Sequence, residues 1–378
     1  MHRRNLKGLT LEELEEFAVA SSEPKYRGRQ LFDWLYAKEA SSFAEMTSIS
    51  KSFRGRLESR ATIGSMGLVQ VQESGHDGTT KFLFELSDGK RIETVLIPPR
   101  TLFKGSETDD DEEQKRLTLC ISTQAGCPLD CKFCATATMG FLRNLTPGEI
   151  VDQLLQVRKI CGKKVTNLVY MGMGEPLLNY ENVMKSVEII TTGMGIAPRR
   201  ITVSTAGWVP GIRQMADERR KVKLAVSLHT LDEDLRTDLM PVNKKYGVDG
   251  LLDAVRYYYR MVKRPVTFEY ILFGDYNDRD EDIARLVKLS KDVRCKINII
   301  PFHAIGLTRP GSLSATLRPA SSVRTDEFVR KLREARVAVF VRSSAGEDIN
   351  AACGQLAARA VQKRRTSSIS SLQCSPIS

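Results

Sequence analysis

Gly126-Cys127-Pro128-Leu129-Asp130-Cys131-Lys132-Phe133-Cys134 places three thiols within eight residues, at C-x3-C-x2-C spacing. Soft thiolates select iron-sulfur clusters or zinc. A closed zinc site or an electron-transfer cluster takes four protein ligands. Three from one loop therefore predict a cluster with one metal position left open for chemistry, and the spacing suits a 4Fe-4S cube. Gly126 and Pro128 bend the backbone so that the sulfurs of Cys127, Cys131 and Cys134 can face one centre. Two other readings stand beside this one. A remote Cys or His could complete a zinc site, or the three thiols could simply pack as small hydrophobes, although Pro128, Asp130 and Lys132 fit a helical core stripe poorly.

Outward from this loop the chain reads as strand, loop and helix units. Candidate strands are Leu117 to Ser122, Val165 to Met171, Arg200 to Thr205, Val222 to Leu228, Val266 to Leu272 and Cys295 to Ile300, with amphipathic helices such as Pro147 to Cys161 and Asp278 to Lys291 between them. Six such repeats predict an α/β fold with a parallel sheet and right-handed crossovers. Ligands of such sheets bind at the carboxyl ends of the strands, and the three-cysteine loop lies just after the first. Polar residues recur at other strand ends, in Met171-Gly172-Met173-Gly174-Glu175-Pro176, Ser204-Thr205-Ala206-Gly207, Ser227-Leu228-His229 and Asn298-Ile299-Ile300-Pro301-Phe302-His303. Each alone is ordinary turn chemistry. Four in register on the side of the cysteine loop mark a binding site.

Ahead of this core, Leu9 to Phe17 reads as a helix with Thr10 and Glu13 in capping-box spacing, followed by helices near Arg29 to Lys38 and Ser50 to Arg60. The helical unit is assigned to 1–62. Lys25, Arg27 and Arg29 give it a basic set suited to phosphate contact. Alternating residues from Gly67 to Ile97 predict hairpin strands, with Ser87-Asp88-Gly89-Lys90 as a turn, in a connector spanning 63–114 that contains Glu93. The acidic run Asp109 to Glu113 reads as a solvated loop. The core occupies 115–343, a C-terminal segment 344–362, and the polar tail 363–378 reads as disordered.

The 378 residues carry a formal net charge of +11, which favours a polyanionic partner. Arg3-Arg4, Lys25 to Arg29, Arg199-Arg200, Arg219 to Lys223 and Lys363 to Arg365 spread that charge along the chain. No apolar run is long enough for a membrane span, and the N-terminus lacks the apolar region of a secretory signal. Eight cysteines, three of them clustered, do not form the dense framework of a secreted scaffold. A cytoplasmic protein is expected.

The cysteine loop resembles the radical S-adenosylmethionine (SAM) signature. From Tyr26-Arg27-Gly28-Arg29-Gln30-Leu31 to Gly346-Glu347-Asp348-Ile349-Asn350-Ala351-Ala352-Cys353-Gly354 the chain is similar to the RlmN/Cfr family of RNA adenosine methyltransferases. The resemblance implies a partial (β/α)6 barrel, a 4Fe-4S cluster on Cys127, Cys131 and Cys134, and two SAM molecules per turnover. It implies SAM contacts from Gly174, Glu175, Ser204, Ser227, Leu228 and His229. His303 stands where many members have asparagine, and imidazole can still donate or accept a hydrogen bond.

The same resemblance implies that Cys353 carries a methyl group taken from SAM and then the RNA, that Cys120 releases the product by forming a transient disulfide with Cys353, and that Glu93 removes the ring proton. Cys161, Cys295 and Cys374 match nothing. The implied substrates are an adenosine of large-subunit rRNA and the adenosine 3′ to the tRNA anticodon, methylated at carbon 2. Carbon-8 methylation is the alternative within the family. A non-catalytic RNA-binding protein with a structural zinc loop is the alternative of another class. A flavodoxin-type electron donor and a monomeric enzyme complete the expectation.

Overall fold

Val203, Leu224, Val226, Phe268, Tyr270, Ile297 and Ile299 are buried at every second position of successive strands, which turns one face of a parallel sheet toward covering helices. The computed structural model describes residues 3–99, 116–305 and 313–358. Its main sheet has ten strands: β1 (Gly67–Glu73), β2 (Thr80–Glu85), β3 (Arg91–Ile97), β4 (Thr118–Cys120), β5 (Asn167–Tyr170), β6 (Ile201–Thr205), β7 (Lys223–Ser227), β8 (Val266–Leu272), β9 (Cys295–Pro301) and β10 (Val339–Val341). Their order in the sheet follows the chain from β1 to β10. The pairs from β1 to β4 are antiparallel, and those from β4 to β10 are parallel.

The parallel part therefore has seven strands where six repeats were expected. The seventh, β10, has only three residues, too few to display an alternating pattern. The strands do not close on themselves, because β4 pairs with β3 and β10 is an edge. They do curve toward each other at one end. Cys120 in β4 and Arg342, just beyond β10, line one cavity, as an open barrel requires. The inward parity of the strands is polar: Thr118, Thr202, Thr267 and Asn298 lie below Cys120, Ser204, Glu269 and the mouth of the barrel.

The helices outside the sheet are α4 (Pro147–Cys161), α5 (Tyr180–Gly193), α6 (Val209–Asp217), α7 (Glu233–Leu239), α8 (Asn243–Val262), α9 (Asp280–Asp292) and α10 (Ser322–Glu334), and they follow an N-terminal unit of α1 (Leu11–Ala20), α2 (Tyr26–Phe32) and α3 (Lys51–Arg60). Thr10 and Glu13 form the expected capping box, and Ser50 caps α3. The second helix starts at Tyr26, earlier than expected, and Asp33–Ala37 continues it as a wider π turn.

This unit is fixed to the barrel by buried contacts. Lys7 and Asp152 of α4 pair at 2.6 Å with both side chains almost fully buried, and Asp152 also accepts from the Met66 N–H at 2.7 Å. Removing one partner would strand the other charge. Arg27 is spent inside the unit: it bonds Gln30 and the Ser48 carbonyl and lies near Glu23. Lys25 pairs with Glu15. Of the three expected phosphate contacts, only Arg29 stands exposed without such a partner. The acidic run at Asp109 to Glu113, the basic Lys363 to Arg365 and Cys374 lie outside the described residues.

Gly28 sets the approach of α2 to α1, since a Cβ there would lie 2.3 Å from the Glu15 Cα. Neither backbone can yield without parting the helices. Gly28→Ala is expected to destabilise the protein by about 1–3 kcal/mol, as overpacking does, and thermal unfolding followed by circular dichroism would register it as a lowered midpoint.

Candidate active site

After β4 the chain pairs Gln124–Gly126 with Phe141–Asn144 in an antiparallel ladder, and the three-cysteine loop is the connection between them. Gly126 has φ +74, and a Cβ on it would lie 1.8 Å from the Gly140 carbonyl oxygen. Only glycine closes this ladder. The Cys127 N–H donates to that same carbonyl at 2.9 Å. Cys127, Cys131 and Cys134 line one cavity of about 150 Å³.

Burial pushes the Cys127 thiol up to about 12, and raises Cys131 and Cys134 as well, with the neighbouring thiols adding to the shift. Such a trio favours the neutral form unless a metal supplies positive charge. Among the described residues no three His, Cys, Asp or Glu side chains converge on one ion position. A cube asks something different of its ligands: each sulfur must reach its own iron. Three thiols facing one cavity, from a loop with no fourth thiol and with its one carboxylate, Asp130, paired to Lys132, fit that demand.

The strand ends supply the rest of the wall. Gly174, Glu175, Ser204, Ser227 and His229 all line the same cavity. Gly174 has φ +100, and a side chain there would strike Gln124, whose amide oxygen accepts from the Glu175 N–H at 2.9 Å. The Glu175 carboxylate accepts from the N–H groups of Leu177 and Ala206, at 3.1 and 2.7 Å. Burial nevertheless raises its pKa from 4.5 to about 7. An ammonium bound in the cavity would restore its charge.

His229 adopts φ +59, and its Nδ1 accepts from the Ile271 N–H at 3.0 Å. A ring that accepts at Nδ1 carries its proton on Nε2. Burial and then the nearby Arg236 lower its pKa to about 3. Leu228 is fully buried, and its carbonyl is held by the Arg236 side chain.

Residues beyond β10 bring Cys353 to the cavity. The Gly346 N–H bonds Asp77 at 2.9 Å, the Ala135 N–H bonds the Gly354 carbonyl at 2.6 Å, and the Thr136 hydroxyl donates to the Leu356 carbonyl at 2.7 Å. Cys353 lines both the main cavity and a smaller adjoining one of about 80 Å³ that also contains Cys120 and Cys134. Cys120 and Cys353 are free thiols; no disulfide joins them. Burial pushes the buried Cys120 up to about 12.

Glu93 is buried in β3 but lines neither cavity. Its carboxylate accepts from the N–H groups of Ala357 and Ala358, at 2.8 and 3.1 Å, and lies 3.2 Å from the Lys81 ammonium. His303 also lies outside the cavity lining, with Nδ1 3.0 Å from Glu347 and Nε2 unpartnered.

Sequence reading missed a buried ionic frame. Arg342, buried and lining both cavities, reaches Glu269 at 3.5 Å, and Asn298 donates to the other Glu269 oxygen at 3.0 Å. Arg236, fully buried, ties the ends of β6 and β7 together by donating to the carbonyls of Ala206, Ser227 and Leu228. The available signal was a charge inside an apolar run, as Glu269 is in Val266-Thr267-Phe268-Glu269-Tyr270-Ile271-Leu272.

The chain matches known proteins over this whole architecture. A model of the radical SAM superfamily matches residues 121–287, and one of the ribosomal RNA large subunit methyltransferase N-terminal domain matches residues 4–63. The chain is 40% identical over 367 residues to a probable dual-specificity RNA methyltransferase RlmN of Syntrophomonas wolfei, covering 94% of this chain and 98% of that protein. It is 42% identical over 354 residues to the dual-specificity RNA methyltransferase RlmN of Geobacter sulfurreducens, covering 93% of this chain and 91% of that one. The crystal structure of a radical SAM methyltransferase from Sphaerobacter thermophilus has a TM-score of 0.84 and 40% identity, covering 94% of this chain and 100% of the other.

The environment of His229 makes stability depend on pH. Its pKa is depressed in the fold from 6.5 to about 3, so between those values the unfolded chain binds a proton that the native state refuses. Stability from this group is complete above the upper value and is lost as pH falls toward the lower, by at most about 1.4 kcal/mol per pH unit. Asparagine tolerates positive φ and does not titrate. Urea unfolding of His229→Asn protein from pH 7 to 4 should show a slope shallower by up to one proton.

Proposed function

Because the chain belongs to the RlmN family of radical SAM RNA methyltransferases, we propose that it methylates carbon 2 of an adenosine in large-subunit rRNA and of the adenosine 3′ to the tRNA anticodon, through a methyl group carried on Cys353. The observation that carries this reading is the meeting of five cysteines at adjoining cavities: Cys127, Cys131 and Cys134 from the loop after β4, Cys120 from β4 itself, and Cys353 from beyond β10. Carbon 2 of adenine has no lone pair with which to attack an electrophilic methyl group, so its methylation needs a radical. A 4Fe-4S cluster held by Cys127, Cys131 and Cys134 would supply the electron that cleaves SAM to a 5′-deoxyadenosyl radical.

The chain's own residues do the rest. Glu175 and Gly174 receive the amino end of SAM, with Ser204, Ser227 and His229 forming the surrounding wall; Leu228, whose carbonyl is held by Arg236, and His303, turned toward Glu347, lie outside that wall. Cys353 accepts a methyl group from one SAM. A second SAM, cleaved with an electron from the cluster, would give the radical that takes hydrogen from that methyl; the resulting methylene radical on sulfur adds to the adenine ring, and the adduct radical would return one electron to the oxidised cluster. Glu93 takes the ring proton. The Cys120 thiolate then attacks the Cys353 sulfur, forming the disulfide bond and breaking the bond to the methylene carbon, which keeps the electron pair, takes up a proton and leaves with the RNA as a methyl group. A reductant must then reopen the disulfide before the next turnover.

Adenosines in loops can be splayed into a pocket at modest cost, and the N-terminal unit, with Arg29 exposed, would hold the flanking backbone. A flavodoxin-type donor, a monomeric enzyme and a cytoplasmic site complete the reading; no helix among the described residues is long and apolar enough to cross a membrane.

Anaerobic reconstitution with iron and sulfide should give a brown protein that converts adenosine to 2-methyladenosine in its RNA, located by mass spectrometry of the digested nucleosides. Cys353→Ala should keep the colour and the reductive cleavage of SAM while losing all methyl transfer to RNA. An 8-methyladenosine product would move the enzyme to the carbon-8 branch, and methylation surviving in Cys353→Ala would remove that thiol from the route.

A further inference from the structure

The polar lumen of the barrel has a second end. Arg116 precedes β4, Arg200 precedes β6, Lys223 opens β7, Arg264 stands just before β8, and Lys296 is the second residue of β9. Four of these share the inward parity of the strands. Steps of two lead from Arg116 through Thr118 to Cys120, from Arg200 through Thr202 to Ser204, and from Lys223 through Ala225 to Ser227. Lys296 lies two positions from Asn298, whose amide bonds Glu269 in the active-site wall. The lumen whose upper rim carries the chemistry therefore has a lower rim of cations.

These charges act on one another. Lys223 has its pKa lowered by partial burial and then by Arg116, Lys296, Arg264 and Arg200. Among the described residues no carboxylate pairs with Lys223, Arg264 or Lys296, and Lys296 instead lies over the Phe340 ring. Cations in the last turn of a helix answer the helix dipole, which accounts for residues such as Arg158 and Lys159 of α4. Arg116, Lys223 and Lys296 lie on or beside strands, so that account does not cover them, whereas Arg200 closes the short 3-10 turn Pro198–Arg200.

We propose that this lower rim is a second RNA-backbone site, in which Arg116, Arg200, Lys223, Arg264 and Lys296 contact phosphodiester oxygens of a segment distant from the adenosine being modified. The proposal rests on the reading of RNA as the substrate. The row crosses five strand steps from β4 to β9, about 24 Å along the sheet at the usual strand spacing, which exceeds a single small anion and suits a run of phosphates. An acidic electron donor would have to approach the cysteine loop, which is at the opposite end of the strands. A long rRNA reaches both rims, whereas a stem-loop that fills the upper mouth does not.

The test compares two RNAs, a stem-loop carrying the target adenosine and a fragment of large-subunit RNA several hundred nucleotides long that contains it. Dissociation constants are measured against salt for the reconstituted protein and for Lys223→Glu/Arg264→Glu/Lys296→Glu. The fragment should bind the variant at least about tenfold more weakly, with a log–log salt slope reduced by about two to three, while stem-loop affinity and the rate of stem-loop methylation stay within twofold. The milder Lys223→Gln/Lys296→Gln pair, with two of the three cations removed, should lose roughly two-thirds as much slope and guards against misfolding of the reversed variant. An unchanged slope for the fragment in both variants overturns the proposal, and so does an equal loss for stem-loop and fragment. If the slope falls as expected but the native protein methylates neither RNA, the lower-rim site stands and the proposed activity fails.

Discussion

The period of two along the parallel strands is the constraint on which the rest depends. Residues of one parity, such as Val203, Leu224, Phe268 and Ile297, are buried and hold the helices by apolar area, at roughly 25 cal/mol per Å² removed from water. Residues of the other parity are thereby free to be polar, and they include Cys120, Ser204, Ser227 and Glu269, which line the cavities. A one-residue slip in any of these strands would exchange the two sets. Long ladders resist such a slip; β8 and β9 are paired along seven residues.

Strands alone do not complete the site, because Cys353 arrives on a segment with little regular structure. That segment is held by hydrogen bonds from both sides, with Asp77 and Glu93 of the connector on one and Ala135 and Thr136 of the cysteine loop on the other. Each such bond contributes about 1 kcal/mol net. A segment held this way has a defined place and can still yield. Glu93 sits at the point of conflict: its carboxylate is engaged by the Ala357 and Ala358 N–H groups, so service as a base toward RNA requires it to release or share those donors.

Features written locally were legible in the sequence. The cysteine spacing, the Thr10 and Glu13 capping box, the hairpin at Ser87 to Lys90 and the polar strand ends each depend on residues a few positions apart, and the structure contains the capping box, the hairpin and the gathering of strand ends. What escaped reading depends on distant partners. Arg27 reads as an exposed cation until the Ser48 carbonyl, from beyond the second helix, is seen beside it. Arg342 reads as the end of a short strand until folding sets it beside Glu269. His303 and Glu93 are placed by contacts with the C-terminal segment, which no local pattern foretells. The lower rim of cations was visible as scattered basic residues, but their common parity emerges only once the strand bounds are known.

Cys353 and Cys120 share one cavity, and the proposed function divides the labour between them: Cys353 would carry the methyl and then the RNA, and Cys120 would only release it. Replacing Cys120 with Ala tests this directly, because the reaction should then stop after the carbon–carbon bond has formed. Reconstituted Cys120→Ala protein, incubated anaerobically with SAM, reductant and labelled RNA, should run on a denaturing gel as a covalent protein–RNA species that resists thiols and vanishes when Cys353→Ala is added to the same chain. Free RNA alone, under conditions in which the native protein methylates, would contradict the assignment.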